Sequence, residues 1–134
     1  MESARSVEIF VAVQCLVIGL SHLVQPHAWV DFFERLRGWG HAGVFANGFL
    51  SLGFGAMIVA FHNVWHGLAA VLTVVGWAQI AKALVCFIAP RKGLRSLERV
   101  SIERAREFRV GGVVLLVIGG LSAYLAVSGW ASRA

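Results

Sequence analysis

Charge is what this sequence has least of. Aspartate, glutamate, lysine and arginine together make up 14% of its 134 residues, where a soluble domain carries about a quarter. A surface kept wet by charge cannot be built from that supply, which argues against a soluble enzyme and against a disordered tail. Cysteine is scarce too: two residues in an apolar chain do not make a disulfide framework. Nucleophile motifs, phosphate-cradling glycine loops and paired carboxylates are missing, so no set of general base, nucleophile and oxyanion donor can be assembled. An autonomous enzyme is therefore the least favoured class. The net charge of +5 would attract nucleic acid, but no basic pattern interleaved with aromatics accompanies it, and no nucleic-acid partner is expected.

What fills the chain instead is hydrocarbon: 58% of residues are hydrophobic and the mean hydropathy is +0.75. Four apolar stretches stand out, at residues 7–25, 43–62, 66–89 and 110–128. Each has about the ~20 residues that a helix needs to cross a ~30 Å hydrocarbon core. Helices of a soluble bundle would each carry a polar stripe, whereas these carry isolated polar residues. In lipid the backbone must satisfy its own hydrogen bonds, which leaves helices as the open choice. The first stretch is too long for the h-region of a cleavable signal peptide. The expectation is an all-α membrane protein, a single bundle of four transmembrane helices over residues 1–134, with loops at 26–42 and 90–109.

Orientation follows from the cations. Arg35 and Arg37 lie in the first loop, and Arg91, Lys92, Arg95, Arg99, Arg104, Arg106 and Arg109 in the third. Arg5 and Arg133 fall on the opposite side, and Lys82 within the third stretch. The positive-inside rule then puts both long loops in the cytoplasm and both termini outside. The cationic loop would be drawn to anionic headgroups.

Both loops read as partly helical. Pro26 suits a first helical turn, and Trp29, Phe32, Phe33 and Leu36 recur at helical spacing. Asp31 and Arg35 pair on the other face, and Gly38 is a plausible stop. Such a segment predicts a short amphipathic helix lying in the interface, as an anchor or as a lid. In the third loop Ser101 suits an N-cap with Glu103 in the first turn, leading into the fourth span. Gly48, Ser51 and Gly55 share one face of the second span, and Gly111, Gly112, Gly119 and Gly120 punctuate the fourth. Small residues let membrane helices approach closely, within one chain or between copies of a homo-oligomer.

Histidines and cysteines are the residues that redox or metal chemistry would need. His22 and His62 fall at opposite faces, so they cannot be the two axial ligands of one haem. His62 and His66 flank a turn, where Glu8 could join them in a metal site; an aromatic belt with interfacial histidines is the simpler reading, and no metal or cofactor is assigned. Cys15 lies in mid-membrane and Cys86 near the cytoplasmic face, too far apart for a disulfide.

One polar group stands out. Ser21, His22 and Gln25 close the first span, Asn47 and Ser51 open the second, and Gln79, Lys82 and Cys86 share a face of the third. All lie in the cytoplasmic half. Polar and ionisable groups inside a membrane are costly and often mark a site. A snorkelling Lys82 with interhelical hydrogen bonds is the structural alternative. The site reading takes His22, Asn47, Ser51, Gln79 and Lys82 as ligand-binding residues, with the first, second and last converging on one anionic or carbonyl ligand.

The run Gly19-Leu20-Ser21-His22-Leu23-Val24-Gln25-Pro26, followed by an aromatic segment and a glycine-rich second span (Gly48, Gly53, Gly55), resembles the DoxX-like family of small four-helix membrane proteins. The likeness covers the first half of the chain. Ser51 stands where that family often has an acidic residue, and the basic third loop has no counterpart in it. The resemblance implies a bacterial inner-membrane protein, sometimes a subunit associated with quinone-linked redox enzymes, and carries over His22. Two functions follow. One is a binding or accessory subunit holding a quinone-like or lipid ligand and docking a redox partner; the other is a small oligomeric transporter or channel, for which the apolar outer half offers little polar lining.

Overall fold

The computed structural model describes residues 2–99 and 104–131. Among them the chain is all helix and turn, in six helices: α1 Glu2–Val24, α2 Pro26–Gly38, α3 His41–Phe61, α4 Ala69–Ile88, α5 Pro90–Glu98 and α6 Ala105–Ala131. Four of them, α1, α3, α4 and α6, are long and apolar enough to cross a membrane. Their outward side chains are hydrocarbon: Val17, Val24, Phe49, Ile88, Val117 and Val127 are all exposed. Exposure of that kind over whole helices fits lipid as the solvent, since water would drive such faces together.

The long helices form two pairs. α1 packs along α6 and α3 along α4, while the contacts between the pairs are sparse. Glycines set both intimate approaches. A Cβ on Gly19 would sit 2.9 Å from the Gly112 carbonyl oxygen, and one on Gly112 would sit 2.8 Å from the Gly19 carbonyl oxygen. On the other pair, a Cβ on Gly55 would come within 2.7 Å of the Gly76 carbonyl oxygen. Without a hydrophobic drive between helices in lipid, such backbone-to-backbone fit supplies the van der Waals attraction. Gly111 and Gly120, by contrast, face open space.

The two short helices close one end. Pro26 and Pro90 each start a helix, where a missing N–H costs nothing. α5 is a helix over part of the third loop that the sequence left unassigned; the helix start expected at Ser101 and Glu103 lies outside the described residues. α5 turns Gly93 and Leu97 inward and leaves Arg91, Lys92 and Arg95 exposed. Leu36, Val44, Cys86 and Leu97 form a small core joining α2, α3, α4 and α5. A second core, built on Val7, Val11, Cys15, Ile58 and Leu72, joins α1, α3 and α4 towards the other end. Between these two cores the pairs part.

Candidate functional site: a cavity between the helix pairs

Where the pairs part, under the aromatic face of α2, lies a cavity of about 580 Å³. Gln14, Cys15 and Ile18 of α1 form one wall. Asn47, Ser51 and Phe54 of α3, with Gln79 and Lys82 of α4, form the other. Trp29, Phe32 and Phe33 of α2 make its roof. Most of the lining is hydrocarbon and aromatic, with a small convergent set of polar groups. That balance is what small-molecule sites show.

The polar set centres on Lys82, whose Nζ donates to Asn47 Oδ1 at 3.2 Å. Helical geometry explains the meeting. Lys82 lies about 9 Å inside the C-terminal end of α4, and Asn47 about 9 Å inside the N-terminal end of the antiparallel α3, so both side chains reach one level. The lysine side chain stays open to the cavity. Gln79 sits almost one turn further in, and Ser51 one turn beyond Asn47 on α3, where it is buried.

Four residues singled out in the sequence, Asn47, Ser51, Gln79 and Lys82, thus line one cavity. His22 is held elsewhere. Its ring stacks on Trp29 (centroids 4.1 Å apart, 20° between planes) and on Phe108 (5.8 Å). Its Nδ1 lies 2.8 Å from the Ile18 carbonyl oxygen. A carbonyl only accepts, so Nδ1 carries the hydrogen. Ser21 shares the task, its Oγ accepting from Trp29 Nε1 at 3.0 Å. His22 and Ser21 are therefore positioning residues, which hold Trp29 against the cavity from behind. Sequence spacing set the depth of His22 but not its azimuth. Trp29, Phe32 and Phe33 read in the sequence as a lipid-facing stripe, and nothing in their periodicity distinguishes lipid from a cavity.

At the opposite end of the bundle His62 Nε2 donates to Glu8 Oε1 at 3.3 Å, with the imidazole fully buried. His62 Nδ1 is buried without a hydrogen-bond partner. His66 is exposed and does not join them. Among the described residues no group of three metal-ligating side chains forms. The pair is a polar tie between α1 and the end of α3. Thr73 of α4 pins the turn beside it: its Oγ1 accepts from the Val64 N–H at 3.0 Å and shares its hydrogen between the carbonyls of Val64 (2.7 Å) and His62 (3.1 Å). Both cysteines are free and buried.

Comparisons with protein-family models, with curated proteins and with solved structures bring no match.

Proposed function

We propose that this chain is a small inner-membrane protein of bacteria that acts as a binding or accessory subunit, holding the headgroup of a quinone-like or lipid ligand in the cavity beneath α2. The observation that carries the reading is the Lys82–Asn47 hydrogen bond inside a mostly apolar and aromatic cavity. A lysine placed there is costly unless its donors are used. Asn47 takes one of the three hydrogens, which leaves two donors beside a space large enough for a ring or a headgroup. Gln79 and Ser51 supply further donors and acceptors, and Trp29, Phe32 and Phe33 supply flat apolar contact.

The cation distribution supports an orientation with α2 and α5 on the cytoplasmic side and both termini outside. In that setting α2 lies at the interface, its aromatic side turned into the bundle and Asp31 and Arg35 outward. The exposed Arg91, Lys92 and Arg95 of α5 then face anionic headgroups, each contributing on the order of 1 kcal/mol near the surface. The resemblance of the α1–α2 junction to DoxX-like proteins supports a redox protein as the partner.

The test is purification from native membrane in mild detergent, with mass spectrometry of co-purified small molecules and proteins. The wild type retains an amphiphile, and Lys82→Met, of similar length but without the donor, loses it while staying folded. Wild-type occupancy in Lys82→Met would sink the reading. Ion flux by the purified protein in liposomes, with no retained amphiphile, would favour the oligomeric transporter.

A further inference from the structure

The cavity does not end at its aromatic roof. A second hollow of about 300 Å³ lies against it towards the opposite end of the bundle, and the two share Phe10 and Met57 as lining. Val7 and Phe61 complete its apolar walls, with Ser3 and Ser6 at the start of α1. The Ser6 hydroxyl is already spent on the Glu2 carbonyl, at 3.0 Å. This outer hollow therefore suits hydrocarbon, while the inner one carries the polar groups. The two adjoin at Phe10 and Met57, along the loosely packed line between α1 and α3. From Asn47 to Phe61 helix α3 rises about 21 Å, more than the ~15 Å of chain that one leaflet of a ~30 Å core accommodates.

The head end has a charge requirement. Lys82 donates to the oxygen of a neutral amide, and among the described residues no carboxylate forms an ion pair with it. An ammonium held below the headgroups without a counter-charge is unfavourable, and one anionic group beside it removes the imbalance.

Building on the ligand-holding function above, we propose that the occupant is a single-chain anionic amphiphile. Its carboxylate-like head sits on Lys82 and Asn47, and its chain follows Phe10 and Met57 towards Phe61. The outer hollow, about half the volume of the inner one, takes one chain, and the sparse contact between α1 and α3 lets that chain enter sideways from the bilayer. A double-chain phospholipid is disfavoured on both counts, because its second chain has no groove and its phosphate belongs at the interface.

The test is photolabelling of the whole protein in nanodiscs with two hexadecanoate probes, one carrying a diazirine near the carboxylate and one at the chain end. The head-proximal probe is expected to label peptides containing Asn47 or Gln79, and the chain-end probe those containing Val7, Met57 or Phe61. Excess hexadecanoate should suppress both labels about tenfold, methyl hexadecanoate should not, and Lys82→Gln should reduce both. Met57→Trp, which fills the junction of the two hollows, should remove the chain-end label and spare the head-proximal one. Head labelling in the cavity with the chain end found on lipid-facing positions such as Val113 or Val117 would overturn the groove and leave the ligand-holding function standing. Equal competition by the methyl ester would overturn the anionic head. Absence of any competable label in the cavity would overturn this inference, and the function on which it rests would then fall only if the purified protein also retained no amphiphile.

Discussion

Gly111 and Gly112 are neighbours on α6, yet a methyl group added to each meets opposite surroundings. At Gly112 the new Cβ lies 2.8 Å from the Gly19 carbonyl oxygen and 2.8 Å from His22 Cβ; at Gly111 nothing lies within 4 Å. Neither obstacle at Gly112 is the tip of a flexible side chain, so α1 and α6 must move apart. Overpacking of that kind costs about 1–3 kcal/mol. Alanine in place of glycine in a helix interior recovers up to about 1 kcal/mol of backbone entropy, and Gly111→Ala gains this without a clash. The two alanine variants should therefore differ by about 2 kcal/mol, with Gly111→Ala at or above wild-type stability and Gly112→Ala below it. Reversible unfolding in mixed micelles, followed by tryptophan fluorescence, reads the difference; Trp29, stacked on His22 beside this crossing, is a well-placed reporter. Equal stability of the two variants would refute the claim that the Gly19–Gly112 approach holds the α1–α6 pair together.

Other consequences are equally open to measurement. Thr73→Val keeps the shape of the side chain but strands the Val64 N–H and two carbonyls; a loss of about 1–3 kcal/mol is expected, with faster hydrogen exchange at the Val64 amide, and Thr73→Ser should restore both. Glu8→Leu should destabilise the bundle by on the order of 2 kcal/mol because it leaves the buried His62 imidazole without its acceptor, whereas Glu8→Gln, which keeps an oxygen there, should cost less; a thermal melt that ranks the two the other way would contradict the pairing. Both cysteines are nearly inaccessible, so a membrane-impermeant maleimide should label the folded protein far more slowly than the denatured one. A reporter active only in the periplasm, fused to the C-terminus, should be active, and activity of a cytoplasmic reporter alone would reverse the orientation.

How much of this was legible in the sequence depends on the kind of signal each residue carries. The four spans are legible because hydropathy and length act over twenty residues at a time, so an error of a few positions at each end does not change the count. α1 begins at Glu2 and α4 at Ala69 rather than at residues 7 and 66, since polar residues at a helix end say little about where its hydrogen bonds begin. Asn47, Ser51, Gln79 and Lys82 stood out because polarity inside an apolar run is rare. Their common level followed from counting residues up one helix and down its antiparallel neighbour. Half of the pairing was legible: the few residues around Asn63 leave the second and third spans only a tight antiparallel hairpin, and α3 does pack along α4. The other pair was not, because α1 lies on α6 from the far end of the chain, and the glycine pattern marked α3 and α6 without pointing to α1.

The groove between the pairs was invisible for a physical reason. Phe10, Met57 and Phe61 would read the same whether they met lipid tails or a bound chain, because both surroundings are hydrocarbon. In water, a hydrophobic cavity contrasts with the polar surface around it; in a membrane that contrast vanishes, and only polar groups betray a site. The same reasoning accounts for His22. In an apolar helix its polarity drew it into the candidate site, but an imidazole has a second use in such surroundings: its Nδ1–H is satisfied by its own helix through Ile18, and its ring then stacks as an aromatic. Once that bond is made, His22 behaves towards Trp29 as part of a wall. Lys82 has no such local escape, because a carbonyl of the preceding turn could take at most one of the three hydrogens of an ammonium, and its long side chain instead carries them out to Asn47. That difference in self-sufficiency is why the lysine faces the cavity while the histidine stands behind it.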